Sequence, residues 1–183
     1  MDNEMKALEE NDTFKFVKLP DGKNVVGGKW VYTIKDSAQG TKSFKASSSA
    51  KPDSTSDGCQ FAYLNADIDT EIFVRQPEGY EVMSEDGEEL VWKLQKSLYG
   101  LKQSGRNWNQ LLHEHLTSEG FQRNPADHCL YHRGVGDQDI YVLVWVDDLV
   151  IAASNETLMS EFKDCMKIKF KMKDLLEISY FWA

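Results

Sequence analysis

A chain of 183 residues with 41% hydrophobic and 28% charged residues has an ordinary globular balance and suffices for one domain, or one and a half. Its formal charge of −9 argues against a free-standing binder of phosphate backbones, which is ordinarily basic. Three scattered cysteines (Cys59, Cys129, Cys165) make no disulfide framework, the start "MDNEMKALEENDTFKF" is too polar for a signal peptide, and the apolar run 141–146 is too short to span a bilayer. These features lead to the expectation of a soluble, intracellular protein of the cytoplasm or nucleus, with no membrane partner.

"EMKALEEND" reads as a short helix with Met5 and Leu8 on one side. "NVVGGKWVYTIK" reads as a strand after a Gly-Gly turn. Residues 43–58, "SFKASSSAKPDSTSDG", are small and polar and are expected to form a flexible linker. A helical turn is expected near Tyr63 and a strand at 71–74. Residues 67–93 hold nine acids and two bases, the composition of a solvated face or loop. "LVWKLQKSLYG" is a strand running to a turn at Gly100. In "SGRNWNQLLHEHLTSEGF", Trp108, Leu111, Leu112 and Leu116 share one helical face, and Gly120 stops the helix. "DHCLYHR" and "IYVLVWV" are strands joined by "GVGDQD". After "LVIAAS", Ser154 or Asn155 caps a helix with Leu158, Phe162 and Met166 on its apolar face and Glu156 in its first turn. Strand, strand, helix, strand, hairpin, helix predicts an α+β layer, with helices on one face of an antiparallel sheet.

The chemistry-bearing feature is Asp147-Asp148, set between two apolar runs. Read as the two turn residues of a hairpin, Asp-Asp is a poor choice, since such turns favour Asn-Gly or Asp-Gly. Adjacent carboxylates repel, and hydrophobic neighbours make their desolvation costly. A divalent cation removes both penalties, and Mg²⁺ often takes one or two carboxylates plus substrate phosphates. A solvated turn that blunts aggregation of two apolar strands is the other reading of the pair alone. His113, Glu114 and His115 are not HExxH, and residues two apart share no helix face, so they read as surface. His128 and His132 share a strand face, with Cys129 opposite; a structural role is preferred for all three.

"NDTFKFVKLPDGKNVVGGKWVYTIK", "QPEGY", "KLQKSLYGLKQSGRNWN", "WVDD" and "FKMKDLLEISYF" occur in one order along the chain. Together they resemble the reverse transcriptase of copia-type LTR retrotransposons, over nearly the whole length. The resemblance implies a right-hand polymerase: an incomplete palm (a ferredoxin-like antiparallel sheet with helices on one face) plus a remnant of the fingers. It places the fingers remnant at 1–42, a junction at 43–58 and a partial palm at 59–183. Asp147 and Asp148 become the catalytic, Mg²⁺-ligating pair. Tyr99, Gly100, Lys102, Gln103 and Arg106 fall in the family's loop-to-helix element beside nucleotide and template. There, small residues at Gly100, Ser104 and Gly105 permit close backbone approach, helix N–H groups can meet a phosphate, and Lys102 and Arg106 add positive charge. Trp145 replaces the usual Tyr of Tyr-Val-Asp-Asp, keeping the ring and losing the hydroxyl. The implied partners are an RNA/DNA template-primer and a deoxynucleoside triphosphate.

The family's third carboxylate lies four positions before an Ala-Tyr-Leu-Asn that stands here as Ala62-Tyr63-Leu64-Asn65. Gly58 occupies that place, and Asp57 is one position off, which in a strand means the opposite face. "FKA" (44–46) runs directly into the Ser-rich stretch, and the chain ends at "ISYFWA". An internal deletion and a C-terminal truncation are therefore expected, with an exposed sheet edge beside the aspartates and self-association through it. Loss of basic fingers would help explain the acidic balance. The expected function is that of a reverse-transcriptase fragment, inactive alone; the alternative is a non-catalytic remnant or adopted interaction module.

Overall fold

The computed structural model describes residues 2–27, 30–36, 42–48, 62–170 and 172. The chain divides into two compact units, Met1–Asp53 with Tyr63–Trp108, and Ser54–Ala62 with Asn109–Ala183.

The first unit opens with α1 (Asp2–Glu10), which buries Met5 and Leu8. Asp12, at φ 50°, ends it: the Asp12 and Thr13 amides donate back to the Glu9 and Leu8 carbonyls, both at 3.0 Å. The strands that follow are β1 (Phe14–Val17), β2 (Val25–Val26), β3 (Trp30–Asp36), β4 (Lys42–Ser48), β5 (Phe73–Arg75) and β6 (Val91–Leu94). A 3-10 turn at Tyr63–Asn65 precedes β5, where the sequence suggests one. The main sheet has the order β1-β6-β5-β2, antiparallel except for the parallel β2–β5 pair. Phe14 stacks on Trp92 with ring centroids 4.0 Å apart, and Trp92, Leu94 and Phe73 are fully buried.

β3 and β4 form a separate antiparallel pair, in register from Trp30↔Ser48 to Asp36↔Lys42. The expected linker 43–58 therefore begins as a strand; its residues 49–58 lie outside the described ones. A partner strand supplies the backbone hydrogen bonds that the composition of one segment does not reveal.

The acids of the stretch 67–93 are exposed, as expected, although the stretch also carries β5 and the buried Phe73 and Trp92, and several of the acids pair with bases inside and outside it. Lys18 pairs with Asp86 and Glu88, Lys96 with Asp67, and both Lys23 and Lys93 with Glu71. "QPEGY" has an architectural part. Gln76 is buried and its amide donates to the Val82 and Leu90 carbonyls at 2.9 and 2.6 Å, while the Val82 N–H donates to Gln76 Oε1 at 2.8 Å.

α2 (Ser104–Ser118) starts in the first unit and ends in the second. Trp108, Leu112 and Leu116 are buried and Leu111 is half-buried. Gly120, at φ 86°, ends the helix: the Phe121 amide donates to the Leu116 carbonyl and the Gly120 amide to that of Thr117, both at 3.0 Å. β7 (Gln122–Arg123), β8 (Leu130–Arg133), β9 (Ile140–Trp145) and β10 (Asp148–Ala153) then form an antiparallel sheet in the order β10-β9-β8-β7. Its core face carries Tyr131, Ile140, Val142 and Val144. α3 (Glu156–Phe170) packs against β10 and buries Leu158, Phe162, Met166 and Phe170. Asn155 is the cap: its Oδ1 accepts the Leu158 amide at 2.9 Å, and its Nδ2 reaches the Asp137 carbonyl at 2.7 Å.

The α+β reading of the fold stands. Among the described residues no helix is long and apolar enough to cross a membrane. Two readings of the histidines are corrected. His128 and Cys129 lie in a turn ahead of β8, because Asp127 Oδ1 accepts the Cys129 amide at 2.9 Å and bends the chain there. His113 and His115 are half-buried: His113 Nδ1 lies 3.1 Å from Tyr131 Oη, and His115 meets the ring of Phe170 edge-on. Being two apart does aim them differently, but each direction meets a packed neighbour.

Candidate active site

The aspartate hairpin is one residue off its expected position. Trp145 pairs with Asp148, so the two turn residues are Val146 and Asp147, and Asp148 already belongs to β10. Val146 has φ 56° and Asp147 is not in the positive-φ region, the φ pattern of a type II′ turn, whose first central position favours glycine. A β-branched residue there is strained by roughly 1–2 kcal/mol. The ladder from Trp145↔Asp148 to Ile140↔Ala153 holds it, anchored by the fully buried Ile140 and Val142.

This register decides where each acid points. Cross-strand partners share a face, so Asp148 stands with Trp145 on the side opposite the core. The same face carries Tyr141, whose ring stacks on His132 at 4.4 Å. Tyr141, Trp145 and Val146 are 42%, 50% and 51% exposed, so an aromatic surface adjoins the half-buried aspartates. Two half-buried carboxylates on consecutive residues are hard oxygen donors and fit a divalent cation of the Mg²⁺ type. Gly58 and Asp57, the two candidates for the place of a third carboxylate, lie outside the described residues.

The loop-to-helix element belongs to the first unit, whereas Trp145, Asp147 and Asp148 belong to the second. Gly100 takes φ 92°, a backbone that favours glycine. Ser104 is completely buried and donates from Oγ to the Leu98 carbonyl at 2.5 Å, closing the loop on itself. Gly105 is less constrained, since a Cβ there would meet only Tyr63 Oη, at 3.8 Å. The Tyr99 ring packs at a tilt on Tyr63, centroids 4.2 Å apart. Lys102 is exposed just before the helix. Gln103 Nε2 donates to Thr70 Oγ1 at 3.0 Å. Arg106 ion-pairs with Asp69, so its charge is matched rather than added to the loop. Asn107 completes the arrangement by donating to the Asp67 carbonyl at 3.2 Å. Neither Asp69 nor Asn107 stands out in the sequence; the only signal is the pair of acids in "DID".

The chain belongs to the reverse transcriptase (RNA-dependent DNA polymerase) family, whose model matches residues 55–183. Within it the relatives are transposon proteins, and the copia-type resemblance of the motifs stands. The chain is 30% identical over 211 positions to the Retrovirus-related Pol polyprotein from transposon TNT 1-94 of Nicotiana tabacum, a match covering 96% of this chain and 16% of that protein. It is 37% identical over 120 positions to a putative transposon Ty5-1 protein of Saccharomyces cerevisiae, covering 66% of this chain and 38% of that one. It is 27% identical over 217 positions to the Retrovirus-related Pol polyprotein from transposon RE1 of Arabidopsis thaliana, covering 99% and 15%. The chain thus spans less than a fifth of the two plant polyproteins. Because the tobacco alignment has more positions than this chain has residues, that protein carries residues with no counterpart here. No solved structure matches the chain.

Proposed function

We propose that this chain carries part of a site for RNA-directed DNA synthesis, with Asp147 and Asp148 as the carboxylates that hold Mg²⁺, and that it does not extend a primer alone. The observation that carries the first half is the hairpin: a turn held at an unfavourable Val146 conformation, with Asp147 in it and Asp148 directly after. The second half rests on Gly58, which stands where the family has its third carboxylate. In this reading residues 59–183 are a partial palm and residues 1–42 a remnant of the fingers.

Asp147 and Asp148 supply oxygen donors, and the strained turn fixes their direction before any ligand arrives. Bound Mg²⁺ would supply charge stabilisation for nucleotidyl transfer from a deoxynucleoside triphosphate to a primer 3′-hydroxyl. Trp145 offers a half-exposed ring beside Asp148 on which a primer-terminal base can stack. The exposed Lys102, with the N-terminal amides of α2, is suited to a phosphate of nucleotide or template. Arg106 would have to exchange Asp69 for such a phosphate.

A second reading, an interaction module without chemistry, is favoured by the exposed apolar surface of Tyr141, Trp145 and Val146. Two measurements on the full chain separate them: Mn²⁺ binding followed by electron paramagnetic resonance, and primer extension on an RNA template with Mg²⁺. We expect Mn²⁺ to bind, Asp147→Asn to weaken it by ~10-fold or more, and no extension. Robust synthesis that Asp147→Asn abolishes would show the chain to be active alone. Mn²⁺ binding unchanged in the Asp147→Asn/Asp148→Asn double variant would remove the metal site and leave the interaction module.

A further inference from the structure

A second set of ligating side chains gathers where the end of α2 meets α3. The donor atoms of His115, Glu119 and Cys165 all lie within 4.8 Å of one another, and Cys165 Sγ is 3.8 Å from His115 Nε2. All three residues are half-buried, which leaves an ion a path from solvent.

The fold builds this cluster from the backbone upward. His115 and Glu119 are four apart and share a helix face. Glu119 is not left to fray, because its amide donates to the His115 carbonyl at 3.0 Å and the Gly120 cap locks the last turn. Cys165 sits half-buried on α3 beside the buried Phe162 and Met166, and burial, then the neighbouring Glu119 carboxylate, raises its thiol pKa above the ordinary value. The fully buried Phe170 walls one side, its ring edge-on to His115 at 5.1 Å. Burial, more than the neighbouring charges of Glu119 and Lys169, lowers the His115 imidazole pKa from its ordinary value.

We infer that His115, Glu119 and Cys165 form a site for a thiophilic divalent transition metal, with zinc the best match. Thiolate, imidazole and carboxylate are a zinc donor set, and three protein ligands leave the fourth tetrahedral position to water. Zn–S and Zn–N bonds of about 2.3 and 2.0 Å place those donors about 3.5 Å apart at a tetrahedral angle, close to the 3.8 Å found here. Binding releases the Cys165 thiol proton to solvent. The resulting thiolate and carboxylate balance the ion's charge. The nearby cation Arg133 is already held by the Glu119 carbonyl at 2.9 Å and lies over the Phe121 ring. An ion here would fasten two helices whose ligands are fifty positions apart. The donors are softer than the aspartate pair and select a different class of metal.

The test is a titration of the full, reduced chain with Co²⁺, followed by its visible and near-ultraviolet absorption, then displacement by Zn²⁺. One thiolate-bound Co²⁺ per chain is expected, with tetrahedral bands and a thiolate-to-cobalt charge-transfer band that Zn²⁺ removes. Cys165→Ser should abolish that band, and Glu119→Gln and His115→Gln should weaken binding at least ~10-fold. Cys59→Ser and Cys129→Ser should change neither. Zinc at a hundredfold excess over its dissociation constant should raise the thermal midpoint by about 5 °C or more. Circular dichroism of the Gln variants keeps the test open if Cys165→Ser does not fold. A charge-transfer band that survives Cys165→Ser, or no band in the folded unaltered chain, would overturn the assignment.

Discussion

Val146 holds the least favourable backbone in the hairpin, and it is exposed, so little packing is lost by changing it. Val146→Gly should therefore stabilise the chain by about 0.5–1 kcal/mol, the relief at φ 56° less the added flexibility of the unfolded chain. Urea unfolding checks this, and a loss of stability would mean that the Val146 side chain contributes more than its strain costs. Gln76 is the opposite case, a buried amide whose three hydrogen bonds bind the loop after β5 to itself. Gln76→Ala should cost about 2–4 kcal/mol, since it leaves buried backbone groups without partners. The importance of Asp147 and Asp148 is legible from the chain. Their separate positions, one in the turn and one in a strand, are not, because the register of β9 and β10 fixes them and register depends on which face finds a core.

Helices were more legible than strands at the element scale. α2 and α3 carry long apolar stripes at helical spacing, and Trp108, Leu112, Leu116, Leu158, Phe162 and Met166 are all buried. β1 and β7 have four and two residues, too few to show a period, and exist because neighbouring strands complete their hydrogen bonds. The start of α3 was ambiguous between Ser154 and Asn155. Asn155 takes the position because its amide also spans to the Asp137 carbonyl, a contact that joins distant chain. Asn155→Ala should destabilise by about 1–2 kcal/mol, whereas Asn155→Asp should keep the cap and lose only the second bond. Thermal melts of the two variants distinguish the contributions.

On the scale of the whole molecule, the excess of acid is managed by pairing across elements. Glu71 accepts from Lys23 and Lys93, and these two hydrogen bonds hold its pKa at about 2, against an ordinary 4.5. A lowered carboxylate pKa stabilises the folded state above the unfolded value. That stabilisation is lost as pH falls from 4.5 towards 2, where the folded chain finally takes up the proton. Denaturant unfolding across this window should show an acid-induced loss of stability that is smaller in Glu71→Gln. An unchanged slope would indicate that the two lysines interact with Glu71 too weakly in solution to matter, as exposed pairs often do.

The sequence alone determined the α+β class, the main helices, the motif order and the family. Each is a property of local periodicity or of residues that recur in one linear order, and neither needs a neighbour in space. Tertiary structure decided the rest. It moved the turn by one residue and converted the start of a Ser-rich stretch into a paired strand. It matched Arg106 to Asp69 and brought His115, Glu119 and Cys165 together. These depend on pairing and packing between segments far apart in the chain, where cross-strand hydrogen bonds and burial outweigh what each segment prefers by itself.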